Sequence, residues 1–394
     1  MPHVAVVGAS LAGVRVAEAL RNKGFGGRLS LIGDEPHLPY DRPPLSKSVL
    51  TAGGGAAELG FHDRAWFEEN GIDLRLGERA VRLDPNAGVL ETDTGTVRFD
   101  DVIVATGAGA RNPFIDAPAG VFTLRTVDDA ARLRTALDTA AHLVVVGGGF
   151  IGLEVAASAR ALGKEVTVVE VAEIPLSRNL GPAAASVLGD LARANGVRLI
   201  CGRSVAELRG GTSIEQIVLD NGDVFDCDAV VVGVGAVPNT SWLDGSGLEI
   251  TRAGLICDET GRAGRNVWAA GDVCTWTDSA GVPRRHEHWT SAAEQAKVVA
   301  HNLVEADKRT VETATYVWSD QFGKRINIVG NTTDHDAVRF LARDPDGLAA
   351  LYSRDGVLVG ACVIGQARLM LKCRKWVAQR TATAEIPEWD VATV

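Results

Sequence analysis

Two glycine-rich turns are the parts of this sequence best suited to bind a charged ligand. One reads GASLAG over residues 8–13, and the other reads GGGFIG over residues 147–152. Each follows a short apolar run and precedes a stretch of helical character. Backbone N–H groups and the positive end of a helix dipole would therefore face an anion at each turn. The pattern predicts two sites for the pyrophosphate of a dinucleotide.

The first turn departs from the full pattern at one position. Gly8 permits the tight bend and Gly13 permits close packing of helix on strand, but Ser10 stands where a middle glycine is expected. A side chain as small as serine still lets a ligand approach. Asp34 closes the next apolar run, where a carboxylate can accept a hydrogen bond from a ribose hydroxyl. Without Asp34, a turn built only for packing would be an equally good interpretation.

The second turn is complete, because Gly147, Gly149 and Gly152 supply all three glycines. Glu170 ends the following apolar run, where it can accept hydrogen bonds from both ribose hydroxyls of an adenosine. A carboxylate there repels a 2′-phosphate, and no arginine follows Glu170 directly. These residues favour NADH over NADPH. The alternative is a glutamate that only solvates the end of a strand.

The chain of 394 residues repeats a strand–turn–helix–strand pattern over residues 4–34 and 143–170. Such units pair their strands in parallel, so we predict an α/β fold with two doubly wound, Rossmann-like dinucleotide-binding domains. Alternating runs at 325–329 and 356–360 predict an α+β C-terminal domain. The expected boundaries are 1–110 with 236–310 for the first domain, 111–235 for the second, and 311–394 for the third.

Composition excludes several classes of function. Lys and Arg number 40 against 50 Asp and Glu, for a net charge of −10, which argues against a nucleic-acid binder. No apolar run is long enough to span a membrane, and the N-terminus enters a strand-like run too early for a signal peptide. The six cysteines are scattered, without CxxC spacing or a metal-ligand cluster. We expect a cytoplasmic protein with reduced thiols and no metal.

Two dinucleotide folds in one chain suggest two cofactors whose reactive rings meet, a flavin on the first and a nicotinamide on the second. The chain resembles the pyridine nucleotide–disulfide oxidoreductase superfamily in three features: the paired glycine-rich turns, Ala105-Thr106-Gly107 and Gly271-Asp272. The resemblance implies FAD as well as NADH, and a hydrogen bond from the FAD ribityl chain to Asp272. An ordinary turn at Gly271-Asp272 is the alternative.

Residues 39–47 read PYDRPPLSK, with no cysteine where disulfide-using members hold their redox pair. Together with YVWSDQ at 316–321, this stretch resembles the ferredoxin reductases of bacterial oxygenase systems. The resemblance implies hydride transfer from NADH to FAD, then transfer of single electrons to an iron–sulfur ferredoxin. That ferredoxin would supply a ring-hydroxylating dioxygenase or a haem monooxygenase, as in aromatic hydrocarbon catabolism.

The same resemblance assigns roles to individual residues. Lys47 is implied to be a fixed cation near flavin N5, paired with Glu154 on the first turn of the second glycine-turn helix; helix-dipole stabilisation by Glu154 is the alternative. The implied FAD contacts are Gly8, Ser10, Ala12, Gly13, Asp34, Lys47, Val81, Ala105, Thr106, Gly107, Arg125, Gly271, Asp272, Trp289 and Trp318. The implied NAD contacts are Gly147, Gly149, Ile151, Gly152, Glu170, Arg178, Gly233 and Glu287.

A basic patch would steer an acidic ferredoxin toward a net-negative reductase. The candidate residues are Arg284, Arg285, Lys308, Arg309, Lys372, Arg374 and Lys375, and we favour the 372–375 cluster beside Trp376. For any single residue, a solvated charged face is the alternative. We expect transient docking and a monomer or weak homodimer, with no membrane partner.

Two other functions stay open on sequence grounds. One is an NADH oxidase or rubredoxin reductase, since the same flavin site could pass electrons to dioxygen or to rubredoxin. The other is a redox-responsive flavoprotein that resembles apoptosis-inducing factor, in which a change of oligomeric state would replace turnover.

Overall fold

The computed structural model describes residues 1–278, 281–311, 315–344 and 347–388. The helices in these ranges are α1 (Leu11–Asn22), α2 (Ser48–Ala52), α3 (Arg64–Glu69), α4 (Val127–Thr139), α5 (Phe150–Ala161), α6 (Ser177–Ala194), α7 (Trp289–Val304) and α8 (Ala367–Ala378). The strands are β1 (His3–Val7), β2 (Arg28–Gly33), β3 (Ile72–Leu76), β4 (Ala80–Asp84), β5 (Val89–Thr92), β6 (Gly95–Arg98), β7 (Asp101–Val104), β8 (Ala108–Ala110), β9 (Val121–Phe122), β10 (His142–Val146), β11 (Glu165–Glu170), β12 (Val197–Cys201), β13 (Val205–Gly210), β14 (Ile214–Leu219), β15 (Val224–Asp226), β16 (Ala229–Val232), β17 (Ala236–Pro238), β18 (Ile250–Thr251), β19 (Gly254–Cys257), β20 (Arg262–Gly264), β21 (Val267–Ala269), β22 (Cys274–Thr277), β23 (Pro283–Arg284), β24 (Tyr316–Gln321), β25 (Lys324–Gly330), β26 (Ala337–Asp344), β27 (Gly347–Arg354) and β28 (Val357–Ile364).

The described residues pack into two units. The first draws on residues 1–42, 54–109 and 236–313, and the second on residues 43–53, 110–235 and 314–394. Short 3-10 turns lie at Pro43–Ser46, Ser241–Leu243 and Thr383–Glu385. No helix among the described residues is both long and apolar enough to cross a membrane.

The first unit is built on a six-stranded sheet in the order β20-β21-β7-β1-β2-β3. Strand β1 pairs in parallel with β2 and with β7, and its Val4–Val7 run is fully buried. A strand buried on both faces is apolar at every position, so the run is continuous rather than alternating. Helices α1 and α7 pack against each other in this unit. The carboxyl end of β1 therefore delivers the chain directly to the turn before α1.

The second unit repeats this arrangement in a five-stranded sheet ordered β12-β11-β10-β16-β9. Strand β10 pairs in parallel with β11 and β16, and α5 packs on β10 and β11. The second unit also holds an antiparallel five-stranded sheet, ordered β24-β25-β28-β27-β26, on which α8 packs. These sheets confirm the predicted fold class, two doubly wound α/β parts with an α+β C-terminal part.

One segment packs differently from the predicted domain boundaries. Residues 43–53, which the sequence placed with the first dinucleotide fold, belong to the second unit. The reason is a set of hydrogen bonds to α5, among them one from the Ser158 hydroxyl to the Ser46 carbonyl at 2.7 Å. The predicted boundaries otherwise stay a prediction, and parts of the 311–394 segment (residues 312–314, 345–346 and 389–394) lie outside the described residues.

Candidate functional site

The two glycine turns have the same backbone geometry. Gly8 has φ +118° and Gly147 has φ +106°, a region that side chains with a Cβ rarely adopt. A Cβ on Gly8 would lie 2.1 Å from the carbonyl oxygen of Ala105, and one on Gly147 would lie 2.3 Å from that of Gly233. Each turn is thus pressed against the strand end beside it, and neither first glycine has room for a side chain.

The remaining turn positions leave the helix starts open to a ligand. A Cβ on Gly13 would lie 1.9 Å from the Gly8 carbonyl oxygen, so α1 packs closely on its own turn, and Gly152 repeats this at 2.1 Å from Gly147. Ser10 and Gly149 are the N-cap residues of α1 and α5, and neither caps its helix with a side-chain hydrogen bond. The N-terminal N–H groups of both helices are left for an anion, as a pyrophosphate requires.

In the first unit, a charged cluster lies beside the α1 turn. The Arg42 guanidinium donates to Glu35 Oε1 at 2.6 Å and to the Ser10 hydroxyl at 3.2 Å, and Tyr40 donates to Glu35 Oε2 at 2.5 Å. A guanidinium at this helix start adds positive charge where a phosphate would bind. The sequence predicted a role for exposed Asp34 but none for Glu35, which adjoins it, or for Arg42, which lies in the PYDRPPLSK segment.

The Gly271-Asp272 turn approaches the same helix. Gly271 has φ +87°, its N–H donates to buried Gln295 Oε1 at 2.8 Å, and a Cβ there would lie 3.1 Å from the Ala12 side chain. Asp272 follows Gly271 directly, so this turn lies near the start of α1. A contact between Asp272 and a flavin dinucleotide stays a prediction.

In the second unit, Glu170 lies at the predicted place but is already hydrogen-bonded to the backbone. Its Oε2 accepts the Gly148 N–H at 2.6 Å, and its Oε1 accepts the Ala172 N–H at 2.8 Å. Both bonds hold the carboxylate against the glycine turn, with lone pairs left for ribose hydroxyls. A cavity of about 250 Å³ opens beside it, lined by Gly147, Val171 and Arg203 among others.

Lys47 and Glu154 form an ion pair in the second unit, in which the glutamate is buried and the lysine is partly exposed. Lys47 Nζ lies 2.7 Å from Glu154 Oε2, and their side chains are 20% and 6% exposed. Lys47 also donates to the Pro43 carbonyl at 3.0 Å, which aims the ammonium. Helix α5 begins at Phe150, so Glu154 lies in its second turn. The predicted first-turn position was wrong, and helix-dipole stabilisation alone does not explain a glutamate buried on a lysine.

Two serines complete the shell of Glu154. Ser46 donates to Oε2 at 2.5 Å and Ser319 to Oε1 at 2.6 Å, while Gln321 Nε2 donates to the Ser319 hydroxyl at 3.0 Å. Charge-assisted bonds of this kind hold a carboxylate in one position. Both serines lie in the sequence motifs PPLSK and WSDQ, but the motifs alone predicted no role for either. Their shared partner is 108 and 165 residues away in sequence.

The other predicted contacts are spread over the two units. In the first unit, Trp289 begins α7 and donates to Asp41 Oδ1 at 2.8 Å, and Glu287 pairs with Arg285. In the second, Trp318 stacks on Tyr316 with ring centroids 6.1 Å apart. The roles of the following residues stay predictions: Val81 on β4, Gly107 after β7, Thr106 bonded to the Asn239 carbonyl, Arg125 before α4, exposed Ile151, and Arg178 at the start of α6.

Two histidines precede α7 in the first unit. Burial lowers the pKa of His286, and burial together with neighbouring His286 lowers the pKa of His288. Both rings are therefore neutral at neutral pH.

A glycine turn between a parallel strand and a helix, repeated in two units, is typical of oxidoreductases that work with pyridine nucleotides. The pyridine nucleotide-disulphide oxidoreductase model matches residues 2–296, and the reductase C-terminal model matches residues 316–391. The chain belongs to the pyridine nucleotide-disulphide oxidoreductase family.

Full-length relatives are similar over the whole chain. The ferredoxin reductase component of chlorobenzene dioxygenase from Cupriavidus sp. (strain PS12) is 34% identical over 96% of this chain and 93% of its own. The ferredoxin reductase of the CYP199A2 system from Rhodopseudomonas palustris is 33% identical, with a TM-score of 0.94 over 100% of this chain and 98% of that chain. Putidaredoxin reductase, in its covalent complex with putidaredoxin, is 26% identical with a TM-score of 0.91 over 96% and 93%. The resemblance carried by PYDRPPLSK is confirmed.

Proposed function

We propose that this chain is an FAD-containing, NADH-dependent ferredoxin reductase of a bacterial oxygenase system. The observation that carries the proposal is the pair of dinucleotide turns, one in each unit, in a chain similar from end to end to such reductases. A bound flavin would accept a hydride and release electrons one at a time. The free, scattered cysteines support a cytoplasmic location for this chemistry.

The residues of the chain bind and orient rather than transfer protons. The α1 turn, Arg42 and Asp272 would hold FAD, and the α5 turn with Glu170 would hold the adenosine half of NADH. Arg178, exposed at the start of α6, would contact the nucleotide phosphate or ribose. Lys47, fixed by Glu154 and Pro43, would supply a positive charge to the reduced flavin. Placing the nicotinamide against the flavin accounts for most of the rate in a reaction of this kind.

Glu170→Gln should weaken NADH binding and erode the preference for NADH. The substitution keeps the size of the side chain and an acceptor for Ala172, but it removes the charge that repels a 2′-phosphate. We expect the KM for NADH to rise about tenfold and the NADH-over-NADPH ratio of kcat/KM to fall by a similar factor, as loss of one charged hydrogen bond implies. The exposed neighbour Glu173, changed to Gln, is the control. An unchanged ratio would contradict the role of Glu170.

Helix α8 is the part of the chain best suited to dock an acidic ferredoxin. Its exposed face carries Arg368, Lys372 and Lys375 around Leu371, which is 67% exposed, and the helix has no acidic residue. Arg374 lies over the Tyr316 ring at 4.9 Å, and Tyr316 stacks on Trp318. This arrangement joins a basic docking face to the aromatic pair expected on the electron exit route.

The other basic candidates lie in the first unit. Arg284 pairs with Asp278 at 2.7 Å, Arg285 pairs with Glu287, and Lys308 donates to the Glu305 carbonyl at 2.7 Å. We propose α8 as the docking face because its exposed cations surround an exposed leucine and the helix carries no acidic residue.

Reversing two charges on α8 should weaken ferredoxin docking selectively. For Lys372→Glu with Lys375→Glu, we expect the KM for ferredoxin to rise about tenfold at low salt, and the difference to shrink at high salt because screening removes steering. Flavin reduction by NADH should be unchanged. The control is Arg252→Glu with Lys297→Glu, two exposed positions of the first unit. If both pairs of substitutions raise the KM for ferredoxin equally, the cause is the net charge of the protein, and a docking face on α8 is contradicted.

A further inference from the structure

The segment that carries Arg178 has a strained backbone. Leu176 adopts left-handed angles, φ 62° and ψ 3°, although it is a buried residue with a Cβ. One helical turn follows, and Gly181 then interrupts α6 with φ 69° and ψ 161°, directly before Pro182. Such a conformation persists only where the surrounding structure holds it in place.

Two hydroxyl groups of the C-terminal part hold this turn. Tyr352 OH donates to the Leu180 carbonyl at 2.7 Å, and Thr332 Oγ1 donates to the Asn179 carbonyl at 2.5 Å. The interruption at Gly181 takes these carbonyls off the helical path, so they need donors from outside the helix. Tyr352 is 0% exposed, so its bond to the Leu180 carbonyl is shielded from water, and Thr332 is 7% exposed.

His335 fixes the tyrosine from the other side. Its ring meets the Tyr352 ring edge-on, with centroids 4.9 Å apart at 70°. A Cβ on Gly181 would lie 3.7 Å from His335 Cε1, so the imidazole also contacts the interruption in α6. Burial raises the pKa of Tyr352 far above its ordinary value, so its hydroxyl stays protonated and remains a donor. The turn is thus held by packing and by hydrogen bonds.

We infer that Tyr352 and Thr332 are positioning residues for binding of the pyridine nucleotide. They hold the Leu176–Leu180 turn in the conformation in which Arg178 contacts the nucleotide. The inference rests on the proposed function, in which Arg178 contacts NADH. Arg178 lies between strained Leu176 and the two bonded carbonyls, so a loosened turn would move its guanidinium. Two residues that lie outside the dinucleotide fold would then set the affinity of that fold for NADH.

Tyr352→Phe in the full-length protein tests the inference, because it removes one hydroxyl and keeps the packing. We expect the Kd for NAD⁺, measured by calorimetry, to rise about tenfold, which corresponds to about 1.4 kcal/mol. The NADH concentration that half-saturates anaerobic flavin reduction should rise equally, while the limiting rate changes less than about twofold. Thr332→Val should act in the same direction, and Thr332→Ser should restore binding.

Thr383→Val is the matched control for Thr332→Val, because that hydroxyl donates to the Gly356 carbonyl at 3.0 Å elsewhere in the second unit. Its Kd for NAD⁺ should equal that of the unmodified protein. A lower melting temperature for Tyr352→Phe with an unchanged Kd would show a purely structural role and overturn the inference. Arg178→Ala separates failure of this inference from failure of the proposed role of Arg178. If Arg178→Ala weakens binding of NAD⁺ and Tyr352→Phe does not, only the inference fails. If neither variant weakens binding, the proposed role of this turn fails as well.

Discussion

Gly8→Ala should abolish flavin binding, with flavin content below about a tenth of that of the unmodified protein. The new Cβ would lie 2.1 Å from the Ala105 carbonyl oxygen and 2.8 Å from the Thr106 N–H, and φ +118° is unfavourable for any residue with a Cβ. The turn must therefore move away from the end of β7. That movement misaligns the α1 N–H groups on which a pyrophosphate would rest. The measurement is the flavin absorbance of the purified protein, with the released flavin identified as FAD or FMN by chromatography.

Gly26→Ala is the matched control for this substitution. A Cβ on Gly26 has no neighbouring atom within 4 Å, and the residue is not among the glycines of positive φ. It should keep full flavin content. Full content in Gly8→Ala would contradict the assignment of the α1 turn as the flavin site, and released FMN would contradict the choice of FAD.

Glu154→Gln should lower the limiting rate of flavin reduction by NADH about 100-fold, the typical loss when one preorganised charge at a reaction site is removed. Without the carboxylate, the Lys47 ammonium keeps neutral acceptors such as the Pro43 carbonyl at 3.0 Å and the Ser46 hydroxyl at 3.4 Å. These hold its position less firmly than a charged partner does. Because a largely buried cation also loses its counter-charge, we expect the free energy of unfolding to fall by about 3 kcal/mol. Anaerobic stopped-flow absorbance and urea unfolding measure the two effects.

A double variant separates the two effects of Glu154. Lys47→Met with Glu154→Met removes both charges, and well-packed apolar residues in place of a buried ion pair are often neutral or stabilising. Unfolding stability should therefore recover while flavin reduction stays slow. Glu165→Gln, at the exposed start of β11, is the control for loss of a carboxylate. A double variant that is reduced as fast as the unmodified protein would show that the ion pair is structural only.

Local patterns in the sequence were enough to predict both dinucleotide folds. Strands such as Val4–Val7 are apolar at every position because parallel strands are buried on both faces, and the glycines mark where a Cβ would meet a neighbouring strand. Spacing along the chain was less able to predict which single residue takes part in the site. Asp34 and Glu35 both follow the end of β2, and only the structure shows that Glu35 is the one bonded to Arg42.

The long-range contacts could not be read from spacing. Ser319 reaches Glu154 across 165 residues, and Tyr352 reaches Leu180 across 172. Nothing in the local sequence of a serine or a tyrosine names a partner so far away, because that partner depends on how the C-terminal sheet packs on α5 and α6. The predicted start of α5 was also inaccurate, so Glu154 was expected in the first turn of the helix and lies in the second. Helix ends are commonly uncertain by one or two residues.

The central claim is that electrons pass from NADH through this chain to a ferredoxin. The most direct test is NADH-driven reduction of cytochrome c by the purified protein, with and without a small acidic iron–sulfur ferredoxin, repeated with NADPH. The claim predicts a large increase that depends on the ferredoxin, strong with NADH and weak with NADPH. Rapid flavin reduction with no ferredoxin effect would contradict it. Peroxide formed at the same rate would then identify an oxidase, and a long-lived reduced complex would identify a redox-responsive protein.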